Sequence, residues 1–346
     1  MNKRLGKRHL LAAAFGVFLV AFLAVLPAAA FGHTPPAWAP VPLQDYAFDV
    51  ELALAPSAKK VESILAGSLR DEQVYVDSYG ERVAFQNEGL EVVGTLYRPL
   101  GSGLSPGVIL LHGSTPEGRK LGLYRVLGHE LASRGYTVLS LDQRGYGESA
   151  DPPDLEKVEA YDTTDDIQAG VDYLSTVPGV DPNRLYIIGH SGGADPAIIA
   201  GIEDSRLLKI VAIGPPRRVE ERLGTEGSSE FAYFQRRAMR YMRLSQPIPA
   251  QVFQAISQTN NIEKYRDYFA SPGHKPLLLV DGSLESEQDQ AYLEAYYESI
   301  SQPKAYVTLA GADHYANIAN FGPVVIMDER AVEELVDALD SWLSGK

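Results

Sequence analysis

Six short runs of this chain are apolar without regular polar alternation, interrupted only by three Ser or Thr residues, and they restrict its possible folds more than any other feature. The runs are residues 108–111, 137–141, 185–188, 210–213, 277–280 and 306–309. A strand with one face in water alternates polar and apolar side chains, whereas a strand in a parallel sheet covered by helices on both faces does not. Because helical patterns separate the runs, the sequence predicts a doubly wound α/β sheet that is mostly parallel.

Helices and a few alternating strands complete this domain, which we expect to span residues 71–346. The predicted helices are residues 123–133, 164–177, 195–201, 287–300 and 329–343. Residues 74–76, 83–85 and 92–97 alternate in polarity, which predicts antiparallel strands at one edge of the sheet. Residues 215–275 lie between two sheet strands and are helical and aromatic in pattern. We expect them to form a helical lid inserted over the strand ends.

The first 30 residues have the pattern of an export signal. Basic residues come first, an apolar run covers residues 10–26, Pro27 interrupts it, and residues 28–30 are alanines suited to cleavage. The run also approaches the length that spans a bilayer, so residues 1–30 are a signal peptide or an N-terminal membrane anchor. Residues 31–70 follow as an arm or linker, and their prolines all lie within residues 31–56. Both alternatives predict a periplasmic or extracellular protein, which contacts a membrane only through this segment if it stays uncleaved.

Composition excludes several classes of function. The formal net charge of −14 disfavours binding to nucleic acid, because an acidic chain repels phosphate backbones. The chain contains no cysteine. Its absence excludes disulfides, a thiolate nucleophile and cysteine-ligated metal centres.

A nucleophile is predicted where the third of the apolar runs ends. Residues 185–188 lead into Gly189-His190-Ser191-Gly192-Gly193, and a helical pattern follows. This is the G-x-S-x-G motif at a strand-to-helix turn, where the serine is held in a strained conformation with its Oγ exposed. Side chains at positions 189 and 193 would collide with neighbouring backbone, which explains both glycines. We therefore predict Ser191 as the nucleophile.

A serine nucleophile needs a base that is held by an acid. Of the two histidines after Ser191, His274 precedes a strand, whereas His314 follows the last apolar run, where a loop can reach back over the nucleophile. We predict His314 as the base. The acid is predicted at Glu285, beyond the end of the run 277–280. The alternatives are Asp281, nearer the strand end, and Glu287 and Asp289, which are expected to open the next helix.

The negative charge that develops on an attacked carbonyl oxygen needs preorganised donors. One predicted donor is the backbone N–H of Gly192, directly after the nucleophile. The other is expected in the loop after residues 108–111, which reads His112-Gly113-Ser114. We choose the N–H of Ser114, with that of Gly113 as the alternative, and expect His112 to be a structural residue of this loop.

With these motifs in place, residues 71–346 resemble the α/β-hydrolase superfamily. The motifs occur in the order of that superfamily: the His112-Gly113 loop, the Asp142–Ser149 segment, the serine turn, and the acid and histidine loops. Residues 92–99, which precede the strand before His112-Gly113, resemble the esterase and serine-aminopeptidase-like branches, where the sheet begins with antiparallel strands. The resemblance implies an α/β-hydrolase fold and structural roles for Asp142 and Arg144. The acid of the superfamily is commonly Asp, so Glu285 departs from its pattern.

The lid interval is basic, with ten Lys and Arg residues against six acids. Arg119, Arg217 and Arg218 are nearest to the predicted site, and we assign them provisionally to substrate binding. Arg236, Arg240 and Arg243 recur at helical spacing beside an aromatic stripe. A basic, aromatic lid suits a substrate with a carboxylate or an aromatic acyl group. The alternative is a solvated face that balances an acidic body.

The predicted function is that of an exported serine hydrolase acting on a small-molecule ester or amide, with a carboxylic ester preferred. This chemistry proceeds through an acyl-enzyme and needs no metal or organic cofactor. A serine peptidase of the same fold is one alternative. A non-catalytic binding protein with this fold is the other.

Overall fold

Eight strands form the central sheet of the computed structural model, which describes residues 72–76, 80–216, 224–244, 246–259, 261–321 and 324–345. These residues belong to one compact unit, Lys59–Lys346. The strands of this sheet are β2 Glu81–Asn87, β3 Leu90–Tyr97, β4 Ser105–Leu111, β5 Thr137–Leu141, β6 Val180–His190, β7 Leu207–Ile213, β8 Leu277–Gly282 and β9 Lys304–Leu309. Their spatial order is β2-β3-β5-β4-β6-β7-β8-β9.

In this spatial order, the six strands from β5 through β4 to β9 pair in parallel. β3 pairs antiparallel with both β2 and β5. The helices of eight or more residues are α1 Gly122–Ser133, α2 Thr164–Thr176, α3 Ala194–Glu203, α4 Ser229–Tyr241, α5 Ala250–Thr259, α7 Glu287–Ser299 and α8 Glu329–Ser344, and the short α6 is Arg266–Ala270. The predicted α/β-hydrolase fold class, with antiparallel N-terminal strands and a mostly parallel sheet, is confirmed.

The central strands are mostly apolar because both faces of the sheet are buried. In β4, Val108 and Leu110 pack into the cluster on one face, which includes α1 and α8. Ile109 and Leu111 pack into the cluster on the other face, with residues of α2 and α3. All four side chains are fully buried. Helices on both faces leave the carboxyl edge of the parallel strands as the open edge, where loops can build a site.

The first of the three alternating strands is not part of this sheet, and its predicted place at the antiparallel edge is wrong. β1 Glu72–Val76 pairs instead with β11 Val324–Asp328, which also pairs with β10 Ala319–Phe321. The result is a separate three-stranded antiparallel sheet. Period-2 alternation indicates a strand but does not select its partner, and here the partner lies near the other end of the chain.

The interval between β7 and β8, predicted as the lid, holds the helices α4, α5 and α6. Apolar side chains of α4, α5 and the segment joining them form their own small cluster. Tyr146, from the loop after β5, packs against that cluster, so the lid helices rest on this loop. Ser228 caps the N-terminus of α4: its side chain accepts a hydrogen bond from the N–H of Phe231.

The predicted signal segment, residues 1–30, and most of the arm, residues 31–70, lie outside the described residues. Among those described, no helix is both long and apolar enough to cross a bilayer.

Candidate active site

Ser191 follows directly on β6 at the carboxyl edge of the sheet and has the backbone conformation of a strained turn. Its φ of 51° lies in the left-handed region, which is uncommon for a residue with a side chain. Close approach explains the flanking glycines: a Cβ on Gly189 would collide with the carbonyl oxygen of Gly193, and one on Gly193 with that of His112. The turn therefore holds Ser191 between the end of β6 and the start of α3.

His314 reaches the same edge from the loop after β9. Its backbone carbonyl accepts a hydrogen bond from Nε2 of His190, at 2.8 Å, and the two imidazole rings lie 4.7 Å apart. A Cβ on Gly214, after β7, would come within 2.9 Å of the His314 ring. His314 thus contacts the ends of two neighbouring strands, β6 at His190 and β7 at Gly214. It lies at the strand end that carries Ser191.

Glu285 is hydrogen-bonded to His314. The distance from Nδ1 of His314 to Oε1 of Glu285 is 2.5 Å. Because a carboxylate accepts, Nδ1 carries the proton and Nε2 is left as an acceptor. The side chain of His314 is 31% exposed and that of Glu285 is 17% exposed. The imidazole is thus the more accessible member of the pair.

The loop that carries His314 is held by local hydrogen bonds. Oδ1 of Asp313 accepts from the N–H groups of Tyr315 and Asn317, at 2.9 and 2.7 Å. The amide of Asn317 in turn accepts from the N–H of Asp313 and donates to the carbonyl of Gly311. This loop is an Asx-type turn. The sequence signal for this turn is the D-x-x-x-N pattern of residues 313–317.

The other candidate acids have different surroundings. Glu287 and Asp289 occupy the first turn of α7, where Ser286 accepts from the N–H of Asp289. Asp281 is buried at the end of β8, and its Oδ2 accepts from the hydroxyl of Tyr306 at 2.7 Å. Burial raises the pKa of Asp281. Asp281 and His314 also line a small cavity together with Glu285, but the hydrogen bond to the imidazole comes from Glu285.

The loop after β4 faces the nucleophile with its backbone. A Cβ on Gly113 would lie 2.7 Å from Cβ of Ser191 and 3.3 Å from its Oγ. The N–H of Gly113 is already engaged, since it donates to the hydroxyl of Tyr124 at 2.6 Å. Ser114 is exposed, and its N–H has no acceptor in the described part of the chain. Of the two candidate donors in this loop, the N–H of Ser114 is the available one.

Two buried side chains that the sequence analysis missed connect the three loops of the site. The hydroxyl of Tyr124 accepts from Gly113 and therefore donates to Nδ1 of His190, at 2.8 Å. Nε2 of His190 then donates to the carbonyl of His314. Burial lowers the pKa of His190 well below its usual value, so the ring is neutral, as this pattern of bonds requires. No sequence signal marks this network, because its members are 66 and 124 positions apart.

His112 is a structural residue of its loop, as predicted. Its Nδ1 donates to the carbonyl of Gly113 at 2.7 Å, and its Nε2 accepts from the N–H of Gln143 at 3.0 Å. Both ring nitrogens are therefore occupied, and burial lowers the pKa of the imidazole. This pattern joins the loop after β4 to the loop after β5.

The predicted role of Arg119 in substrate binding is not what the structure shows. Its guanidinium is buried and forms ion pairs with Asp142 and Glu148, while its Nε donates to Thr95. The hydrogen bond to Arg119 holds the pKa of Glu148 at about 2. Arg119 is thus a structural residue beneath the site, because these partners use its donors. Arg217 and Arg218 lie outside the described residues.

Aromatic side chains flank the site on two sides. Tyr315 packs against the rings of His190 and His314, with centroid distances of 5.5 and 5.1 Å. Tyr146 packs edge-on against His112, at 5.2 Å, and interacts with the side chain of Ser114. Burial raises the pKa of both phenols, that of Tyr315 to about 12. Within the described ranges, no group of acidic and histidine side chains is arranged to hold a metal ion.

The sequence of this chain is similar to those of known proteins of one family. The model of the alpha/beta hydrolase family matches residues 108–338. The esterase EstD of Thermotoga maritima is 30% identical over 169 residues, which are 46% of this chain and 39% of that protein. The thiohydrolase aneE of Aspergillus aculeatus is 30% identical over 138 residues, 40% of this chain and 42% of that protein. The matched part of the chain thus spans about two fifths of the length of these curated relatives.

Solved structures show the same fold at low sequence identity. Est1E from Butyrivibrio proteoclasticus, determined with ferulic acid bound, superposes with a TM-score of 0.55. The alignment covers 76% of this chain and 99% of that structure, at 18% identity. Sheet order, motif order and the extent of the family match all agree, and the chain belongs to the alpha/beta hydrolase family.

Proposed function

We propose that this protein is a serine hydrolase that cleaves carboxylic esters through an acyl-enzyme. The observation that carries the proposal is the hydrogen bond between His314 and Glu285 at the strand end where the strained Ser191 is held. Named relatives in the family, an esterase and a thiohydrolase, also support hydrolysis of an acyl compound.

In the first step the Oγ of Ser191 attacks the carbonyl carbon of the ester. Nε2 of His314 takes the hydroxyl proton, and Glu285 stabilises the imidazolium that forms while it keeps Nδ1 protonated. The ester C–O bond then breaks as His314 gives this proton to the departing alkoxide. An acyl group is left on Ser191.

In the second step water hydrolyses the acyl-enzyme. His314 takes a proton from the water, whose oxygen attacks the acyl carbon, and the same proton returns to Oγ of Ser191 as the acid leaves. In both steps the carbonyl oxygen becomes an anion. The N–H groups of Gly192 and Ser114 stabilise it, and each such donor contributes about 2.7–4 kcal/mol in other enzymes.

Ser191→Ala is the direct test of this proposal. We expect the substitution to lower kcat for a p-nitrophenyl ester by about 10⁶-fold, because the nucleophile is lost while the fold is kept. A fluorophosphonate probe should label the wild-type protein and not the variant. Ser133→Ala is the matched control, because Ser133 is an exposed serine at the end of α1, and it should keep full activity and labelling.

The same assay separates the alternatives. If Ser191→Ala kept more than about a tenth of the activity, the assignment of the nucleophile would be refuted. A peptidase would prefer aminoacyl p-nitroanilides to p-nitrophenyl esters. A binding protein with an inactive site would turn over neither substrate and would resist the fluorophosphonate.

We further propose that the chain is exported by its N-terminal segment. The support is the order of basic, apolar and small residues within residues 1–30. Cell fractionation combined with N-terminal sequencing tests it. A mature protein that begins near residue 31 outside the cytoplasm is the expected result, an uncleaved membrane-bound chain indicates an anchor, and an intact cytoplasmic chain contradicts export.

A further inference from the structure

Arg237 is a lid residue to which the proposed reaction gives no role. It lies on α4, and its side chain is partly buried. Nε donates to the hydroxyl of Tyr241 at 2.8 Å, and the guanidinium lies 4.9 Å from the centre of the same ring. Its other electrostatic neighbours are Tyr233 and Tyr315. Among the described residues, no carboxylate forms an ion pair with it.

This environment is unusual for an arginine. Taking a guanidinium even partly out of water has a cost that a tyrosine hydroxyl offsets only in part, and a paired anion is the usual compensation. The Nε–H to Tyr241 uses one of five donors. The Nη groups carry the others, in a planar arrangement that matches the two oxygens of a carboxylate.

The neighbours of Arg237 place it beside the proposed site. Its charge acts on Tyr315, which packs on His314, and on Tyr146, which interacts with Ser114. Packing supports the same placement: a Cβ on Gly145 would lie 2.5 Å from Cε of Met242, just after α4, and Tyr146 packs against the lid cluster. Arg237 therefore lies near two tyrosines of the site, Tyr315 beside His314 and Tyr146 beside Ser114.

We propose that Arg237 binds a carboxylate of the substrate, so that the preferred substrates are half-esters of dicarboxylic acids. This inference rests on the proposed function, since it assumes that the ester carbonyl lies at Ser191. The protein has a net charge of −14, so its overall field does not attract such an anion. Binding must then come from a local, short-range cation, which Arg237 provides.

The test compares half-esters with neutral diesters of the same acid. Monoethyl and diethyl succinate, glutarate and adipate vary the distance between the carboxylate and the scissile carbonyl. We expect the wild type to prefer one half-ester. Arg237→Gln should lower kcat/KM for that half-ester by about 10- to 100-fold, as for the loss of a charge-assisted hydrogen bond, and change kcat/KM for its diester by less than about threefold.

Two further lid variants make the comparison specific. Arg237→Lys keeps the charge but loses the planar pair of donors, so it should restore part of the preference. Arg243→Gln removes an exposed arginine just beyond α4 and should leave both rates unchanged. Equal losses for half-ester and diester in Arg237→Gln, or no loss for either, would overturn the assignment.

Calorimetry keeps this inference separate from the proposed reaction. The Ser191→Ala protein should bind the preferred half-ester and not its diester, and the double variant with Arg237→Gln should lose that binding. If the wild type hydrolysed no ester but half-ester binding still needed Arg237, the proposed reaction would fail and the carboxylate site would stand. If neutral esters were hydrolysed but the half-ester did not bind through Arg237, only the carboxylate site would fail.

Discussion

At the scale of single residues, the site separates two carboxylates that the sequence alone left as alternatives. Glu285 contacts the imidazole of His314, and Asp281 is buried against Tyr306. Both lie after or at the end of β8, so spacing along the chain did not decide between them. Hydrogen-bond geometry does, because an acid that orients a base must reach its Nδ1–H.

Glu285→Gln should lower kcat by about 10⁴-fold, because an amide stabilises the wrong tautomer of His314 and not the imidazolium. Asp281→Asn is the matched control, and we expect its kcat to stay within about tenfold of the wild type. Steady-state kinetics with a p-nitrophenyl ester measures both. A large loss in Asp281→Asn beside a mild one in Glu285→Gln would reverse the assignment.

At the scale of secondary-structure elements, one buried ion pair joins the loops that follow β4 and β5. The N–H of Arg119 donates to Oδ1 of Asp142 at 2.7 Å, and its guanidinium pairs with the same carboxylate and with Glu148. Oδ2 of Asp142 also accepts from the N–H of Glu148. The loop after β4 carries Ser114 and the loop after β5 carries Tyr146. The ion pair therefore fixes the position of these two loops relative to each other.

Arg119→Met should lower the free energy of unfolding by about 3–5 kcal/mol, because it leaves Asp142 buried without its cation. Urea denaturation at neutral pH measures the loss. Lys120→Met is the control: Lys120 pairs with Glu148 at 3.1 Å but its side chain is 57% exposed, and such pairs contribute about 1 kcal/mol or less. A similar small loss in both variants would show that the buried pair is not a determinant of stability.

At the scale of the whole molecule, one buried acid makes stability depend on pH. Asp195 lies on α3, one helical turn after Ser191, and Lys264 lies 3.3 Å from its Oδ2. Its Oδ1 has no hydrogen-bond partner in the described part of the chain. Burial raises the pKa of Asp195 to about 6, from the usual 3.8 of an aspartate in water.

The sign of the pH effect follows from this pKa. Between pH 3.8 and about 6 the unfolded chain has lost the proton of Asp195 while the folded chain keeps it. The contribution of Asp195 to the free energy of unfolding therefore falls as pH rises through that window. A difference of about two pKa units corresponds to about 3 kcal/mol.

Asp195→Asn removes this titration. We expect its free energy of unfolding, relative to the wild type, to rise by about 3 kcal/mol between pH 4 and pH 7. Urea titrations of both proteins across that range provide the measurement, and contributions from the other acids cancel in the difference. Parallel stability curves for the two proteins would contradict the raised pKa.

Local patterns were enough to predict most of the fold. Runs such as residues 108–111 and 277–280 are strands of the parallel sheet, because burial on both faces leaves a signature in each strand by itself. The predicted helix at residues 287–300 is the observed Glu287–Ser299. The turn at Ser191 was equally predictable, since the G-x-S-x-G motif is local and Gly189 is required by the nearby carbonyl of Gly193. The close approach of Gly193 to His112, in contrast, exists only in the folded chain.

Tertiary structure decided the interactions between residues that are far apart in the chain. β1 is paired with β11, Arg119 with Asp142, and the N–H of Gly113 with Tyr124, and no periodicity encodes such choices. The sequence by itself determined which segments are strands and helices and where the strained turn at Ser191 follows β6. Only the folded chain shows that Glu285 contacts the imidazole of His314, that Arg119 is buried in an ion pair and that Arg237 lies near the site. These interactions exist only between groups that folding brings together.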